Sequence, residues 1–166
     1  AFVKETDGDA VGEDTPELPI SPHANHVTQR GYLLLTDELS ALAAQRQALI
    51  DHDDPMKTQL ERFAIERRQR YVITRLESAI VATCDGASPD TVEFGCRVHV
   101  VDDDDTEANY IIVGEDEADP GAGLISWTSP IARILMRCEV GDTPLWRRPK
   151  GDTNLEILSI GWPKGG

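Results

Sequence analysis

Residues 49–56 read Leu49-Ile50-Asp51-His52-Asp53-Asp54-Pro55-Met56, and this run decides the architecture of the N-terminal half. Asp54-Pro55 is a helix start. The aspartate can accept from the free backbone N–H groups of the first turn, and proline at the first helical position forfeits no hydrogen bond. Upstream, a helical pattern of apolar residues ends at Leu49. Only Asp51-His52-Asp53-Asp54 then separates two helices, and so short a connection makes them antiparallel neighbours. The expected element is an αα-hairpin with an acidic tip.

Toward the N-terminus, the first helix is expected to start at Thr28, a good N-cap, with Val27 and Tyr32 placed to pack as a hydrophobic staple. Tyr32, Leu35, Leu39, Leu42 and Leu49 follow alternating three and four spacing, with Arg46 in the one skipped position. That is an a/d seam, which needs a partner helix to bury it. This helix is about 19 residues long, hence roughly 28 Å. Toward the C-terminus, the second helix is expected from about Met56 to Ala82, with Leu60, Phe63, Ile73, Leu76 and Ile80 facing the first. Arg67, Arg68 and Arg70 interrupt its pattern. From Met56 to Ile80 there are six basic and three acidic residues, a local net charge of +3. Arg67, Arg68 and Arg70 read equally as a patch that touches nucleic-acid phosphates and as a solvated face with Glu–Arg pairs. Residues 1–25 hold six acids and three prolines with few large apolar residues, and are expected to be a flexible acidic tail.

Beyond residue 90 the period changes from helical to alternating. Val92, Phe94, Val98 and Val100 fit one face of a strand, Asp102–Asp105 a polar turn, and Asn109–Val113 the returning strand. Asp102–Asp105 lacks the spaced ligands and glycine of a calcium loop, so a solvated turn is expected. Leu124–Trp127 is a further short strand. Ser129-Pro130 caps a helix that runs to Met136. Thr143–Arg148 and Leu155–Ile160 read as a hairpin around Pro149–Asp152. The fold class is therefore α+β: a helical hairpin over 26–83, then a small antiparallel sheet with one short helix over 90–166.

Sixteen basic and thirty acidic residues among 166 give a net charge of −14. A chain this acidic is repelled by free nucleic acid, so any contact with RNA needs a local basic patch or a partner protein. Cys84, Cys96 and Cys138 are odd in number and lack a CxxC spacing; they are expected to be reduced, buried thiols rather than zinc ligands. No apolar run is long enough to span a membrane and no export signal is visible, so a cytoplasmic, monomeric protein is expected.

These residues resemble the GreA/GreB transcript-cleavage factor family. The entry Asn25-His26-Val27-Thr28-Gln29-Arg30-Gly31-Tyr32 is similar to the start of the family's coiled coil. Val92-Glu93-Phe94-Gly95, the run Tyr110–Asp119, the run Ile125–Leu135, Val140-Gly141-Asp142 and Pro149-x-Gly151 follow in the family's order. The resemblance implies an FKBP-like C-terminal domain that docks on bacterial RNA polymerase at its secondary channel, and a hairpin that enters the channel. Trp127, Thr128, Ser129 and Pro130 match the docking loop, with Thr128 where members often have Asp. Ser129 and Pro130 also read simply as a helix cap.

In cleavage-active members, acidic tip residues help hold a Mg²⁺ in the polymerase's own active site, and contact with nascent RNA follows within the complex. Asp51, Asp53 and Asp54 are the tip acids here, with Asp51 and Asp53 the candidate metal ligands. The protein would then be no enzyme itself and would carry no cofactor of its own. The tip departs from the active members' Gly-Asp-x-x-Glu-Asn-type motif, since no glutamate follows an aspartate by three residues in this loop. The first helix is also about a heptad shorter, roughly 10 Å. Asp54 reads more readily as a helix cap than as a ligand. A channel-occupying regulator that does not cleave is therefore the alternative. A prolyl isomerase would need a pocket built from Phe94, Tyr110, Trp127, Trp146 and Trp162, and is the weakest reading.

Overall fold

Both helices of the hairpin begin at the caps the sequence provides. In the computed structural model, which describes residues 15–51 and 54–164, α1 spans Gln29–Ala48 and continues as a single 3₁₀ turn, Leu49–Asp51. The Gly31 N–H donates to Thr28 Oγ1 at 2.9 Å, which makes Thr28 the N-cap. The second helix, α2, spans Pro55–Ser78. Asp54 Oδ1 accepts from the backbone N–H groups of Met56 at 3.2 Å and Lys57 at 3.3 Å, and the Thr58 hydroxyl donates to the Asp54 carbonyl.

The seam differs from the expected one on α2. Leu35, Leu42 and Val72 are its buried residues, with Leu39, Ile65, Tyr71 and Leu76 packed around them. Leu60 and Ile73, expected to face α1, are 41% exposed, and Ile80 is 51% exposed. The apolar set that is used, Ile65, Val72 and Leu76, runs through the arginine-rich stretch rather than around it. Arg68 permits this because its guanidinium reaches out to the Glu38 carboxylate while it lies 4.7 Å from the centre of the Tyr71 ring. A long cation at the edge of a seam covers apolar surface instead of interrupting it.

Helix α2 ends before the expected Ala82. Ile80–Val81 (β2) instead pairs in parallel with His26–Val27 (β1). The Ile80 and Ala82 N–H groups donate to the carbonyls of Asn25 and Val27 at 2.8 and 2.9 Å, so they have non-helical partners. Both ends of the hairpin are thereby stitched together.

The remaining elements are β3 (Arg97–Val101), β4 (Glu107–Val113), β5 (Leu124–Ser126), α3 (Pro130–Leu135), β6 (Leu145–Trp146), β7 (Thr153–Asn154) and β8 (Glu156–Gly161). The main sheet has the order β5-β4-β3-β8. β3 pairs antiparallel with β4 and β8, whereas β5 lies parallel to β4, so the sheet is mixed rather than wholly antiparallel. Two other expectations change. Val92–Gly95 is not strand: Gly95 takes φ 86°, a turn conformation that glycine adopts without strain, and the strand starts at Arg97. The expected 143–160 hairpin is reduced to the short β6–β7 pair, because Glu156–Gly161 pairs with β3 instead. Val98, Val100, Ile112, Ile125, Ile131, Leu135 and Ile157 form the centre of the core between sheet and α3.

The described residues divide into two compact units, one of residues 15–22 and 35–78 without 52 and 53, the other of residues 23–34 and 79–164. The entry to α1 thus belongs with the sheet rather than with the hairpin, since β1 is paired with β2. Residues 15–25 were read as part of a mobile tail. Within them Glu17 forms a two-fold contact with Arg70 of α2, at 2.7 and 2.8 Å.

Candidate functional site

Three places emerge from the sequence: the hairpin tip, the arginines of α2 and the loop before α3. At the tip, Asp54 is the described carboxylate and acts as the cap of α2. The Asp51 side chain, His52 and Asp53 lie outside the described part of the structure. Among the described residues no group of three or more His, Cys, Asp or Glu side chains is arranged to hold a metal ion. Ile50 and Met56 flank the tip, 69% and 76% exposed. Between the helices just behind it lies a groove of about 800 Å³, lined by Arg46, Gln47, Gln59, Arg62 and Gln69 among others. The groove shows that the apolar seam closes only the part of the hairpin away from the tip.

The arginines of α2 are engaged. Arg68 holds Glu38 through both carboxylate oxygens at 2.6 and 3.1 Å, and Arg70 holds Glu17. The Arg70 guanidinium draws the Glu17 carboxyl below its usual range. The Arg67 guanidinium donates through Nη1 to the Pro16 carbonyl at 3.4 Å. Nearer the tip, Glu66 pairs with Arg46 at 2.9 Å and lies 3.8 Å from Arg62. The partners Glu17 and Glu38 fit the reading of Arg70 and Arg68 as a face of Glu–Arg pairs, each worth little by itself.

The loop before α3 is held by a local hydrogen-bond net. Trp127 N–H donates to Val113 O at 3.0 Å; the Ser126 and Thr128 hydroxyls meet at 2.7 Å; Ser129 O–H donates to Ser126 O at 2.6 Å. Ser129 Oγ then accepts from Ala132 N–H, and so caps α3, with Pro130 in its first turn and exposed. Trp127 is half-buried, with the rings of His26 and His23 set edgewise at 5.1 and 5.8 Å. Helix capping and a preformed, partly exposed loop therefore coexist at the same residues.

Sequence reasoning missed Glu117. Its side chain is 4% exposed. Oε1 accepts from the Thr28 hydroxyl at 2.5 Å, and Oε2 accepts from Arg30 at 2.8 Å. A buried carboxylate beside the first turn of a helix is favoured by the free N–H groups and dipole there. A Cβ on Gly31 would approach Glu117 Oε1 to 2.9 Å, so the small residue makes room for the carboxylate. Gly114 has a like purpose: a Cβ there would meet the His26 carbonyl at 2.4 Å. No local signal finds this joint, because Thr28 and Glu117 are 89 residues apart. The Asn25–Tyr32 and Tyr110–Asp119 runs thus converge on one place.

Other groups offer little chemistry. Cys96 is fully buried, and burial pushes its thiol up to about 11; burial also raises Cys84 and Cys138. Such thiols are poor nucleophiles at neutral pH, and all three are free. A cleft of about 390 Å³ lies between Thr28–Arg30, Ala82–Asp85 and Pro163-Lys164, and none of the aromatics proposed for an isomerase pocket lines it. Phe94, Tyr110, Trp127, Trp146 and Trp162 each pack against the core instead. No described helix is long and apolar enough to cross a membrane.

Residues 87–161 match the family described as Transcription elongation factor, GreA/GreB, C-term. Over 152 residues the chain is 36% identical to transcription elongation factor GreA of Maricaulis maris, covering 82% of this chain and 96% of that one. It is 32% identical over 155 residues to transcription elongation factor GreB of Neisseria meningitidis serogroup B, covering 84% and 95%. Among solved structures, GreA factor homolog 1 of Thermus thermophilus aligns over 83% of this chain and 99% of its own, with 22% identity and a TM-score of 0.40.

Proposed function

This chain belongs to the GreA/GreB family of transcription elongation factors, and from that premise we propose that it binds bacterial RNA polymerase at the secondary channel and modulates elongation without being an enzyme itself. Trp127–Pro130 docks, and the hairpin tip enters the channel. The observation that carries this reading is the joint at Glu117: α1 begins inside the sheet-bearing unit, with its first turn held by Thr28 and Arg30, and leaves it as one continuous helix. A loop that serves only to cap α3 would need Ser129 and Pro130, but it would not need Thr128 and Pro130 to keep partly exposed and exposed surface, respectively.

The first helix, about a heptad or roughly 10 Å shorter than in cleavage-active members, favours channel occupancy as the mode of action. Asp54 caps α2, and Asp51 and Asp53 are the carboxylates left for a Mg²⁺ held by the polymerase. Such a metal would polarise the scissile phosphodiester, and the chain's part would be limited to carboxylate oxygens.

Transcript cleavage in purified backtracked elongation complexes, with wild type at saturation against Asp53→Ala, separates the modes. Binding without cleavage supports occupancy. Cleavage that collapses in the variant establishes a working acidic tip. A Thr128→Trp variant, which adds bulk without charge, should bind polymerase at least roughly tenfold more weakly, about 1.4 kcal/mol; undiminished binding removes the docking assignment.

A further inference from the structure

The charge of the sheet-bearing unit is divided along the chain. Residues 80–125 hold twelve acidic residues and one basic residue, net −11, whereas residues 126–151 hold five basic and two acidic, net +3. The second stretch contains the docking loop, α3 and β6, and α3 packs against β6. Arg133 and Arg137 on the α3 side, and Arg147 and Lys150 beyond β6, are all exposed. None of these four side chains has a hydrogen-bond or ion-pair partner among the described residues. Arg30, Arg46, Arg68 and Arg70, by contrast, each hold a carboxylate. Exposed Val140 and Leu145, 59% and 41%, lie on the same stretch. Arginine beside apolar surface is the composition of a protein interface.

A second, independent observation concerns Arg137. It follows the end of α3 with φ 67°, the left-handed conformation that glycine adopts freely and other residues adopt under strain. Its N–H donates to Val92 O at 2.9 Å, so the turn itself needs only the backbone. The side chain contributes nothing that the fold uses.

We infer that Arg133, Arg137, Arg147 and Lys150 form a cationic docking face beside Trp127–Pro130, and that it recognises an acidic protein surface on the polymerase. The inference rests on the proposed function and adds the chemistry of the partner surface. A protein surface fits better than nucleic acid because exposed Val140 and Leu145 lie on the same stretch as these cations, an apolar component that a protein surface matches and a phosphate backbone does not. Arg148 also lies over one face of Trp146 at 4.8 Å, which takes that face from base stacking.

The test measures binding of the full chain to bacterial core RNA polymerase across a salt titration, with a single-stranded RNA oligonucleotide as the second probe. The Arg133→Gln, Arg147→Gln, Lys150→Gln triple variant should bind polymerase roughly tenfold or more weakly at low salt, with a flatter salt dependence. Arg137→Gly should melt no lower than wild type and still bind more weakly, an outcome that damage to the fold cannot produce. Wild-type binding with both variants unchanged overturns this inference and leaves the proposed function standing. Loss of RNA binding with polymerase binding intact overturns it in favour of a nucleic-acid face. Failure of the wild type to bind polymerase overturns both.

Discussion

The sheet-bearing unit and the hairpin are built from the same residue types but bury them very differently. Among the described residues, eleven side chains from strands, turns and α3 form the buried core of the first, and three, Leu35, Leu42 and Val72, form that of the second. Around those three the hairpin relies on arginine–carboxylate pairs with exposed partners, which add little to stability. Near the tip an open groove, lined by Ala43, Leu49, Ile50 and Pro55 as well as by polar side chains, takes the place of a closed seam. Free energy of opening is therefore expected to differ between the two, with the hairpin at the low end.

The largest test of this contrast is Ile112→Ala at the centre of the sheet. It should cost roughly 4 kcal/mol in urea denaturation; a cost under about 1 kcal/mol would remove the rigid half of the comparison. Val72→Ala should cost roughly 2 kcal/mol, and hydrogen exchange should report it in α1 and α2 while β3 and β4 keep their protection. Loss spread evenly over both units would show that they open together.

Alkaline pH probes the core unit selectively. The Cys96 thiol is raised from 9.0 to about 11, so the folded state disfavours its thiolate. The associated stability is complete below the unfolded pKa and is lost as pH rises through the folded one, about 1.4 kcal/mol by pH 10. A Cys96→Ala variant should lack this part of the alkaline slope. The smallest effect belongs to Glu17→Ala, which breaks the exposed contact with Arg70 and should leave the melting temperature within error.

Much of this was legible wherever a local rule decides the outcome. Thr28, Asp54-Pro55 and Ser129-Pro130 announce helix starts because capping depends on residues within one turn, and each starts a helix in the structure. The face of α2 is misjudged because arginine counts as polar in a periodicity argument, although the Arg68 guanidinium lies over the Tyr71 ring. Val92–Gly95 was misread because alternation cannot see a φ of 86°. The pairing of Glu156–Gly161 with β3 depends on distant strands, which no hairpin signal reports. Of the candidate site, the capping loop before α3 could be located from sequence, but the Glu117 joint and the partners Glu17 and Glu38 could not, because they are long-range contacts.

The β1–β2 pair has a consequence for how the tip can vary. With His26–Val27 bonded to Ile80–Val81, residues 28–79 form a loop whose mouth is already shut. Lengthening such a loop is cheap, about 0.6 kcal/mol for each doubling. Insertions or replacements near residues 49–54 should then leave the sheet-bearing unit folded, and a chain nicked there should stay in one piece without its covalent bond. The tip can change in length and charge while the mouth of the loop keeps its own hydrogen bonds.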